Sequence, residues 1–274
     1  MKRRTRWVLS SAWALAVITL MAATARYLRD SVNNVFLLRS AGVSQRAHSS
    51  LQESLERQVG NLGDLAEGLG QDAGLDETSF QEKAVRFLRD APMFSAVTFL
   101  NEKFNREWVF PFSATQGTLG TEMKTHSDAS ATAQRSIETG RPAASGLVSL
   151  LQGGAGILVY APVFRSALWG GLVEGPVQIA RVAMDLIEPS VGLGFHYAII
   201  DERQGREIYS TLTPADRART PAYDAYFTLP MADRNWWVVL HPPTTPPALA
   251  IVAGALSAEA VMGALIYYLW RRRR

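Results

Sequence analysis

Residues 108–164 read WVFPFSATQGTLGTEMKTHSDASATAQRSIETGRPAASGLVSLLQGGAGILVYAPVF. The aromatic and β-branched run 108–112, followed by a loop rich in Ser, Thr and Gly, predicts a strand that ends in a turn. The pattern of 129–139 then predicts a helix, because Asp128 can accept hydrogen bonds from its first turn and Gly140 can end it. The segment therefore begins as strand, loop and helix.

Two apolar runs complete this segment, 144–151 and 157–164, and each has the length of a strand. The residues between them are Gln, Gly, Gly, Ala and Gly, and glycine readily adopts the positive φ of a tight hairpin. A phosphate-binding loop is the other interpretation, but the run lacks the Lys and Ser or Thr of a P-loop and does not open a helix. We therefore predict two neighbouring antiparallel strands.

Several short motifs occur in order within residues 80–187. They are Phe110-Pro111, Leu119-Gly120 with Glu122, Glu138-Thr139-Gly140, Ser145-Gly146, Leu150 with Gln152-Gly153-Gly154, and Tyr160-Ala161-Pro162-Val163-Phe164. In this order and spacing they resemble the CHASE domain, the extracellular sensor domain of plant cytokinin receptors and of many bacterial histidine kinases and diguanylate cyclases. The family often has Asp at the position of Glu122, so the resemblance carries no ligand identity.

The resemblance implies an α+β fold in which a long stalk helix precedes two PAS-like antiparallel sheet units. The distal unit would occupy residues 90–170 and the proximal unit residues 175–242. By the same resemblance, a small molecule would bind in the distal unit. Glu122 stands where cytokinin receptors place the acidic residue that holds the ring nitrogens of the ligand, and Thr139 stands near a position that matters for signalling.

A small-molecule pocket needs apolar walls and a few polar groups that orient the ligand. The candidate ligand-binding residues are Glu122, Thr139 and Ser145 for orientation, and Phe110, Leu147 and Tyr160, together with Val159, for the walls. The alternative is structural: the apolar and aromatic side chains would then be ordinary core, and Glu122 would be a solvated loop residue.

The chain has 274 residues, no Cys and 47% hydrophobic residues, which is enough for one or two packed domains. Its formal charge of +3 is unevenly distributed, because eight basic residues lie in 1–6 and 271–274 and leave the middle mildly acidic. Basic residues beside apolar segments are typical of membrane topology. We therefore predict a membrane partner and no nucleic-acid partner.

Two apolar segments flank the middle of the chain, 7–25 without charge and 248–270 with Glu259 as its one charged residue. As helices they would span about 28 and 34 Å, which matches the hydrocarbon thickness of a bilayer. Their basic flanks predict a two-pass protein of the cytoplasmic (inner) membrane with both tails inside and a periplasmic or extracellular central domain. A cleaved signal peptide is the alternative for 7–25.

The predicted organisation follows from these segments. It comprises a cytoplasmic N-tail 1–6, transmembrane helix 7–25, stalk helix 26–75, extracytoplasmic sensor 76–242, transmembrane helix 248–270 and cytoplasmic C-tail 271–274. The Pro-rich residues 242–247 would be a stiff extended connector.

Apolar residues recur at helical spacing along the stalk, and Leu55, Leu62 and Leu69 repeat every seventh residue. This stripe predicts either a dimer seam or a helix that covers its own domain. Glycines near 70–74 predict the end of the helix. Asp76 or Thr78 would then cap a second helix that ends before Pro92.

Other segments predict short strands and a hairpin. The predicted strands are 95–100, 195–201, 207–211, 223–230 and 235–241, with Gln204-Gly205 as a hairpin turn. The Gly-rich residues 166–176 predict a connection to an alternating strand at 177–184, and Asp185 would cap a short helix after it.

The sequence carries no catalytic constellation. The four histidines are far apart and none has an i+3 or i+4 partner suited to a metal, so we predict no metal, no cofactor and no enzymatic activity. The expected function is an extracytoplasmic small-ligand sensor of a two-span signalling receptor whose output domain is absent from this chain. The alternative is a membrane-anchored protein-interaction domain that senses nothing.

Glu259 would lie near the bilayer centre, where an ionised carboxylate is costly. It could be protonated and tolerated, it could bond to a polar group on a neighbouring helix, or it could be a proton-coupled group. Ala250, Gly254 and Ala258 are small residues at every fourth position, which favours close helix contact. We therefore predict a homodimer, with a separate kinase or cyclase as the possible signalling partner.

Overall fold

The computed structural model describes residues 2–112, 127–150, 153–192, 194–217 and 225–241. The chain divides into one unit of Met1–Gly42 with Pro243–Arg274 and another of Val43–Pro242. In the first unit the described residues are helical backbone. The predicted second span, its Glu259 and the Pro-rich connector lie outside the described residues.

Two helices open the chain. Helix α1 comprises Lys2–Gly70 and α2 comprises Glu77–Asp90. Asp76 caps α2 as predicted, since its carboxylate accepts from the backbone N–H of Ser79 at 2.8 Å. At Gly70 a Cβ would lie 2.2 Å from the carbonyl oxygen of Phe164, so the end of α1 needs glycine to approach that backbone.

The predicted first span, 7–25, lies within the backbone of α1. Among the residues that the structure describes, no helix combines the length and the apolar character that crossing a bilayer requires. The two membrane spans therefore stay predictions.

The first sheet contains six antiparallel strands in the order β2-β1-β6-β5-β3, with β4 paired to β5. They are β1 (Val97–Leu100), β2 (Arg106–Phe110), β3 (Ala143–Ala144), β4 (Val148–Ser149), β5 (Ala155–Arg165) and β6 (Leu168–Gln178). Helix α3 (Ser127–Thr139) precedes β3. The hairpin of β4 and β5 is the predicted one, with positive φ at Gly153 and Gly154.

The long hairpin of β5 and β6 differs from the predicted arrangement. The Gly-rich residues 166–176 predicted a connection to a strand at 177–184, but most of them form β6, which pairs with β5 and β1. The predicted strand 177–184 is also wrong, because it contains only the end of β6 and then becomes helical. The glycines of β6 are sites of close packing: a Cβ at Gly175 would lie 2.5 Å from the ring of Phe94.

A short helical connection follows β6. It consists of α4 (Ile179–Val182), one π-helical turn (Ala183–Ile187) and α5 (Glu188–Val191). Asp185 lies inside the π-helical turn, 3.7 Å from Arg181, and not at an N-cap as predicted. The buried hydroxyl of Tyr197 donates to the carbonyl of Ala183 at 3.0 Å, which fixes this turn to the next sheet.

The second sheet contains four antiparallel strands in the order β8-β7-β10-β9. They are β7 (His196–Asp201), β8 (Arg206–Ser210), β9 (Ala225–Met231) and β10 (Arg234–His241), with α6 (Pro214–Arg217) between β8 and β9. All four strands agree with the predicted ones to within two residues at each end. The α+β class with a long helix and two antiparallel sheets is thus confirmed.

The main hydrophobic core contains side chains from α1, α2 and one face of each sheet. Leu55, Leu62 and Leu69 are all 0% exposed within a single chain. The stripe therefore covers its own domain, and these three leucines do not form a dimer seam. A smaller cluster on the other face of the first sheet packs against α3.

Candidate functional site

The α3 side of the first sheet carries the charged groups of the candidate site. Side chains alternate between the two faces of a strand, and directly paired residues share a face. Arg106 pairs with Leu100 across β1 and β2, and Glu174 of β6 pairs with Thr98 on one side and Tyr160 on the other. Leu100 and Tyr160 belong to the hydrophobic cluster under α3, so Arg106 and Glu174 lie on that face.

These side chains form one connected group. The guanidinium of Arg106 lies 3.2 Å from Oε2 and 3.3 Å from Oε1 of Glu174. The hydroxyl of Tyr160 donates to the same Oε2 at 3.0 Å. Arg106 exposes 11% of its side-chain surface and Glu174 exposes 6%. A nearly buried cation and anion thus face each other on the α3 side of the sheet, where each needs the other for compensation.

Tyr160 is buried, and its hydroxyl lies beside the carboxylate of Glu174. Its side chain is fully buried, and burial together with the charge of Glu174 raises the pKa of Tyr160 well above its ordinary value. The phenol therefore stays protonated and acts as a hydrogen-bond donor to the carboxylate. The carboxylate of Glu174 therefore accepts from two donors, the phenol of Tyr160 and the guanidinium of Arg106.

Helix α3 packs over this face of the sheet. Ala129 and Ala133 pack in the same cluster as Tyr160, and their small side chains let the helix lie close to the sheet. Ser136 is buried, and its hydroxyl contacts the carbonyl oxygen of Tyr160 at 3.0 Å. This hydroxyl therefore links α3 to the backbone of β5.

The structure divides the predicted wall residues between two environments. Tyr160 lies in the cluster under α3, whereas Phe110 and Leu147 are half-buried and pack against the main core. Val159 is buried in the main core as well. One pocket wall made of Phe110, Leu147 and Tyr160 together is not the observed arrangement.

The predicted polar residues have local partners where the structure describes them. Ser145 is fully buried, its hydroxyl accepting from the N–H of Leu158 at 2.9 Å and donating to the carbonyl of Gly146. Thr139, at the end of α3, donates to the carbonyl of Arg135 at 2.8 Å. Glu122 lies outside the described residues, so its role as an orienting acceptor stays a prediction.

Two members of the charged group were missed at the sequence level. Arg106 opens the strand that contains the aromatic run, and Glu174 is the one charge in the buried run LVEGPV of β6. A carboxylate in the middle of a buried strand indicates a partner or a ligand. The glycines around Glu174 are more typical of a loop than of a buried strand, which conceals that signal in the sequence.

A concavity lies between α1 and α2, with a cavity volume of about 390 Å³. Its lining includes the apolar side chains of Leu65 and Phe87 and four charged ones: Asp64, Lys83, Arg86 and Asp90. Lys83 is engaged with Asp72, whose pKa is lowered to about 2 by hydrogen bonds from Lys83, Ser79 and Gly74. These contacts hold the turn between the two helices.

Comparison with solved structures identifies the fold. An extracellular ligand binding receptor from Desulfohalobium retbaense DSM5692 matches with a TM-score of 0.59 and 15% identity, over 72% of this chain and 39% of that one. This chain thus spans well under two thirds of that receptor. No curated protein matches the sequence.

Two chemoreceptor domains match over nearly their whole length. The ligand-binding domain of Pseudomonas fluorescens CtaA, in complex with L-isoleucine, has a TM-score of 0.58 and 11% identity over 81% of this chain and 98% of that one. That of Pseudomonas aeruginosa PAO1 PctC, in complex with GABA, has a TM-score of 0.52 and 14% identity over 73% and 96%. At such identities the likeness shows the fold alone.

The sequence itself matches one family model, described as the CHASE domain, over residues 76–209. That range contains α2, α3, the whole first sheet, strand β7 and all but the last residue of β8. The motifs around Tyr160 and Gly146 lie within it. Residues 76–209 therefore match the CHASE domain, the family that the sequence motifs predicted.

Proposed function

We propose that this chain is the sensor portion of a membrane receptor and that a small molecule binds on the α3 side of the first sheet. The observation that carries the proposal is the nearly buried group of Arg106, Glu174 and Tyr160 beneath α3. Buried charges on one face of a sheet are rare in a core that only has to be stable. They are expected where a polar ligand is recognised.

The charges of this group indicate the class of ligand. A small molecule with both a carboxylate and an amine would complement Arg106 and Glu174 at once, with the carboxylate bound by the guanidinium fork. The solved relatives of the same fold include complexes with GABA, L-Gln and L-serine, which have both groups. We therefore propose an amino acid or a related amine-carboxylate as the ligand of this chain.

A heterocyclic ligand held by Glu122 is the second possibility, and it rests on the CHASE resemblance. Thermal unfolding of the full chain separates the two, because a ligand that binds the folded state raises the melting temperature. The compounds are the twenty common L-amino acids, GABA, and adenine-type bases. We expect one or more amine-carboxylates to stabilise the wild type.

Variants locate the binding site. Arg106→Gln and Glu174→Gln should each abolish the ligand-induced shift, whereas Arg89→Gln, which changes an exposed ion pair on α2, should keep it. If only adenine-type bases raised the melting temperature, and Glu122→Gln abolished that rise, the heterocyclic ligand would replace the amine-carboxylate in this proposal. A compound whose effect ignores Arg106, Glu174 and Glu122 would remove the site from this face.

The proposed topology is two-pass, with both tails in the cytoplasm and the CHASE domain outside the cytoplasmic membrane. It is supported by the basic flanks of 7–25 and 248–270 and by the extracellular placement typical of the domain family. Protease added outside spheroplasts should digest 26–247 and spare both tails. A mature N-terminus near Ala25 would instead establish a cleaved signal peptide.

The proposed output is a displacement passed to a partner, with no chemistry in this chain. We propose a homodimer that acts on a separate kinase or cyclase, with contact between the second spans around Gly254 and Ala258. Crosslinking of single Cys substitutions along 251–265 should peak on that face and weaken in Glu259→Leu. Uniform or absent crosslinking would exclude this contact.

The alternative function is a membrane-anchored protein-interaction domain. Two exposed aromatic side chains favour it, Tyr226 at 74% and Trp237 at 42%, which share the outer face of the second sheet. Under this alternative no compound would shift the melting temperature, and a Tyr226→Ser, Trp237→Ser double variant would lose a protein partner. Binding of an amine-carboxylate at Arg106 would decide for the sensor.

A further inference from the structure

A cluster of charged side chains joins α3 to the second sheet. We call it the polar junction, and its members are Asp128 and Arg135 of α3, Asp201 of β7, Asp233 and Arg234. We propose that the polar junction couples the ligand site to the second sheet, so that a change at the site alters β10 through α3. This inference rests on the proposed function, because α3 covers the proposed ligand site.

Arg234 is the fixed centre of the junction. Only 3% of its side chain and 1% of that of Asp201 are exposed, and the two groups lie 2.7 Å apart. Its Nε also donates to the carbonyl of Ala144 at 2.9 Å, in the strand beside Tyr160. A buried pair of this kind resists separation, since either charge alone would be uncompensated.

The α3 side of the junction is more exposed. Arg135 donates from Nε to Asp233 Oδ2 at 3.1 Å and from Nη2 to the carbonyl of Ala144 at 3.1 Å. The N–H of Ala144 donates to Asp233 Oδ1 at 2.7 Å. About 30% of the Arg135 and Asp233 side chains is exposed, so these contacts can rearrange in solvent while Arg234 and Asp201 stay in place.

Asp128 forms a second link from α3. Its carboxylate accepts from the N–H of Gly146 and lies 3.7 Å from Nη2 of Arg234. Asp128 was predicted to be the N-cap of its helix, but α3 begins at Ser127 and the carboxylate contacts Gly146 and Arg234 instead. Both charged residues of α3 that face the second sheet are therefore used in contacts with it.

The contacts continue on both sides of the junction. Towards the ligand site, Ser136 of α3 contacts the carbonyl of Tyr160. Towards α1, β10 pairs with β9, where the carbonyl of Tyr226 accepts from the hydroxyl of Ser44 at 3.2 Å. A contiguous set of contacts thus leads from Tyr160 to the long helix. The coupling is measured as the effect of a change at one end on the other.

Hydrogen–deuterium exchange of the full chain in nanodiscs measures this coupling without any ligand. Glu174→Gln perturbs the site, and we expect it to change the exchange protection of β10 about fivefold or more. In an Asp233→Asn or Arg135→Gln background, Glu174→Gln should still change the exchange protection of α3 but no longer that of β10. Arg106→Lys serves as a second perturbation of the site in case Glu174→Gln does not fold.

Arg217→Gln is the matched control, because it breaks an exposed ion pair with Glu207 on the same sheet. In that background the effect of Glu174→Gln on β10 should persist. The coupling proposal would be overturned if Glu174→Gln still changed the protection of β10 in the Asp233→Asn and Arg135→Gln backgrounds. It would also be overturned if Glu174→Gln and Arg106→Lys changed protection only within the first sheet. Since no compound is used, failure of the ligand proposal in the thermal assay leaves this result unaffected.

Discussion

The hydroxyl of Tyr160 lies 3.0 Å from Oε2 of Glu174 on the neighbouring strand, and both residues are buried. Tyr160→Phe leaves the carboxylate with one donor fewer. We expect the free energy of unfolding to fall by about 1–3 kcal/mol in urea denaturation, the scale of an unsatisfied buried group. Tyr226→Phe, on a side chain that is largely exposed, should change it by less than about 0.5 kcal/mol. Equal effects of both variants would contradict the buried contact.

The buried tyrosines predict a loss of stability in alkali. Burial raises the pKa of both Tyr160 and Tyr197 above the ordinary value. Tyrosines of the unfolded chain ionise near pH 10 while these two stay neutral in the folded state, so their contribution is complete below about pH 10 and is lost as the pH rises towards the folded pKa values. The urea midpoint should fall less steeply above pH 10 in Tyr160→Phe. If the urea midpoint fell equally steeply with pH in wild type and Tyr160→Phe, Tyr160 would not contribute to the alkaline loss of stability.

Asp72 predicts the opposite dependence in acid. Its lowered pKa of about 2 means that its contribution is present above the unfolded value near 3.9 and disappears as the pH falls through about 2. Asp72→Asn should therefore lower the melting temperature at pH 7, with a difference from wild type that vanishes near pH 2. The control is Asp64→Asn, which changes an exposed carboxylate of α1. A difference that stays constant with pH would contradict this charge effect.

Two glycines of α1 should respond to alanine in opposite directions. At Gly60 a Cβ would meet nothing within 4 Å, so Gly60→Ala should stabilise the helix by about 0.5–1 kcal/mol. At Gly70 a Cβ would lie 2.2 Å from the carbonyl oxygen of Phe164, and Gly70→Ala should destabilise the chain. Chemical denaturation of both variants tests the packing of α1 on β5. Stabilisation by Gly70→Ala would show that this contact is absent.

Gly146→Ala tests the packing beside the polar junction. Its Cβ would lie 2.4 Å from the amide of Gln204 and 2.8 Å from the carboxylate of Asp128. We expect a loss of about 1–3 kcal/mol, typical of overpacking. Because the end of Gln204 is the closest group, Gln204→Ala should recover part of the loss in a double-mutant cycle. Additive effects of the two substitutions would place Gln204 away from Gly146.

Local patterns in the sequence were sufficient for most elements. Asp76 at the cap of α2, the turn glycines at 153 and 154, and the alternation of β9 and β10 all depend on neighbours within a few residues. Strand β6 was missed because Gly170, Gly171 and Gly175 are common in loops, and their real use depends on distant backbone and aromatic groups. The sequence alone does not show which distant group approaches a glycine.

The candidate site was predictable only in part. Tyr160 was identified through the CHASE motif, but Glu174 lies on β6, whose glycines indicated a loop, and Arg106 lies on β2, which β1 separates from β6. The role of Asp128 is equally hard to predict, because an aspartate can serve either as a helix cap or in a long-range ion pair. Such pairings depend on sheet order, which requires the tertiary structure.

The burial of the α1 stripe also has a consequence for how the chain is made. Ser44 and His48, near the start of the folded unit, contact Tyr226 and Phe227 in its second-to-last strand. During synthesis, this part of the helix lacks its partners in β9 until some 180 later residues have emerged. Chains cut short before β9 would expose Ala47 and Leu51 to solvent, which makes them candidates for chaperone capture, aggregation or proteolysis.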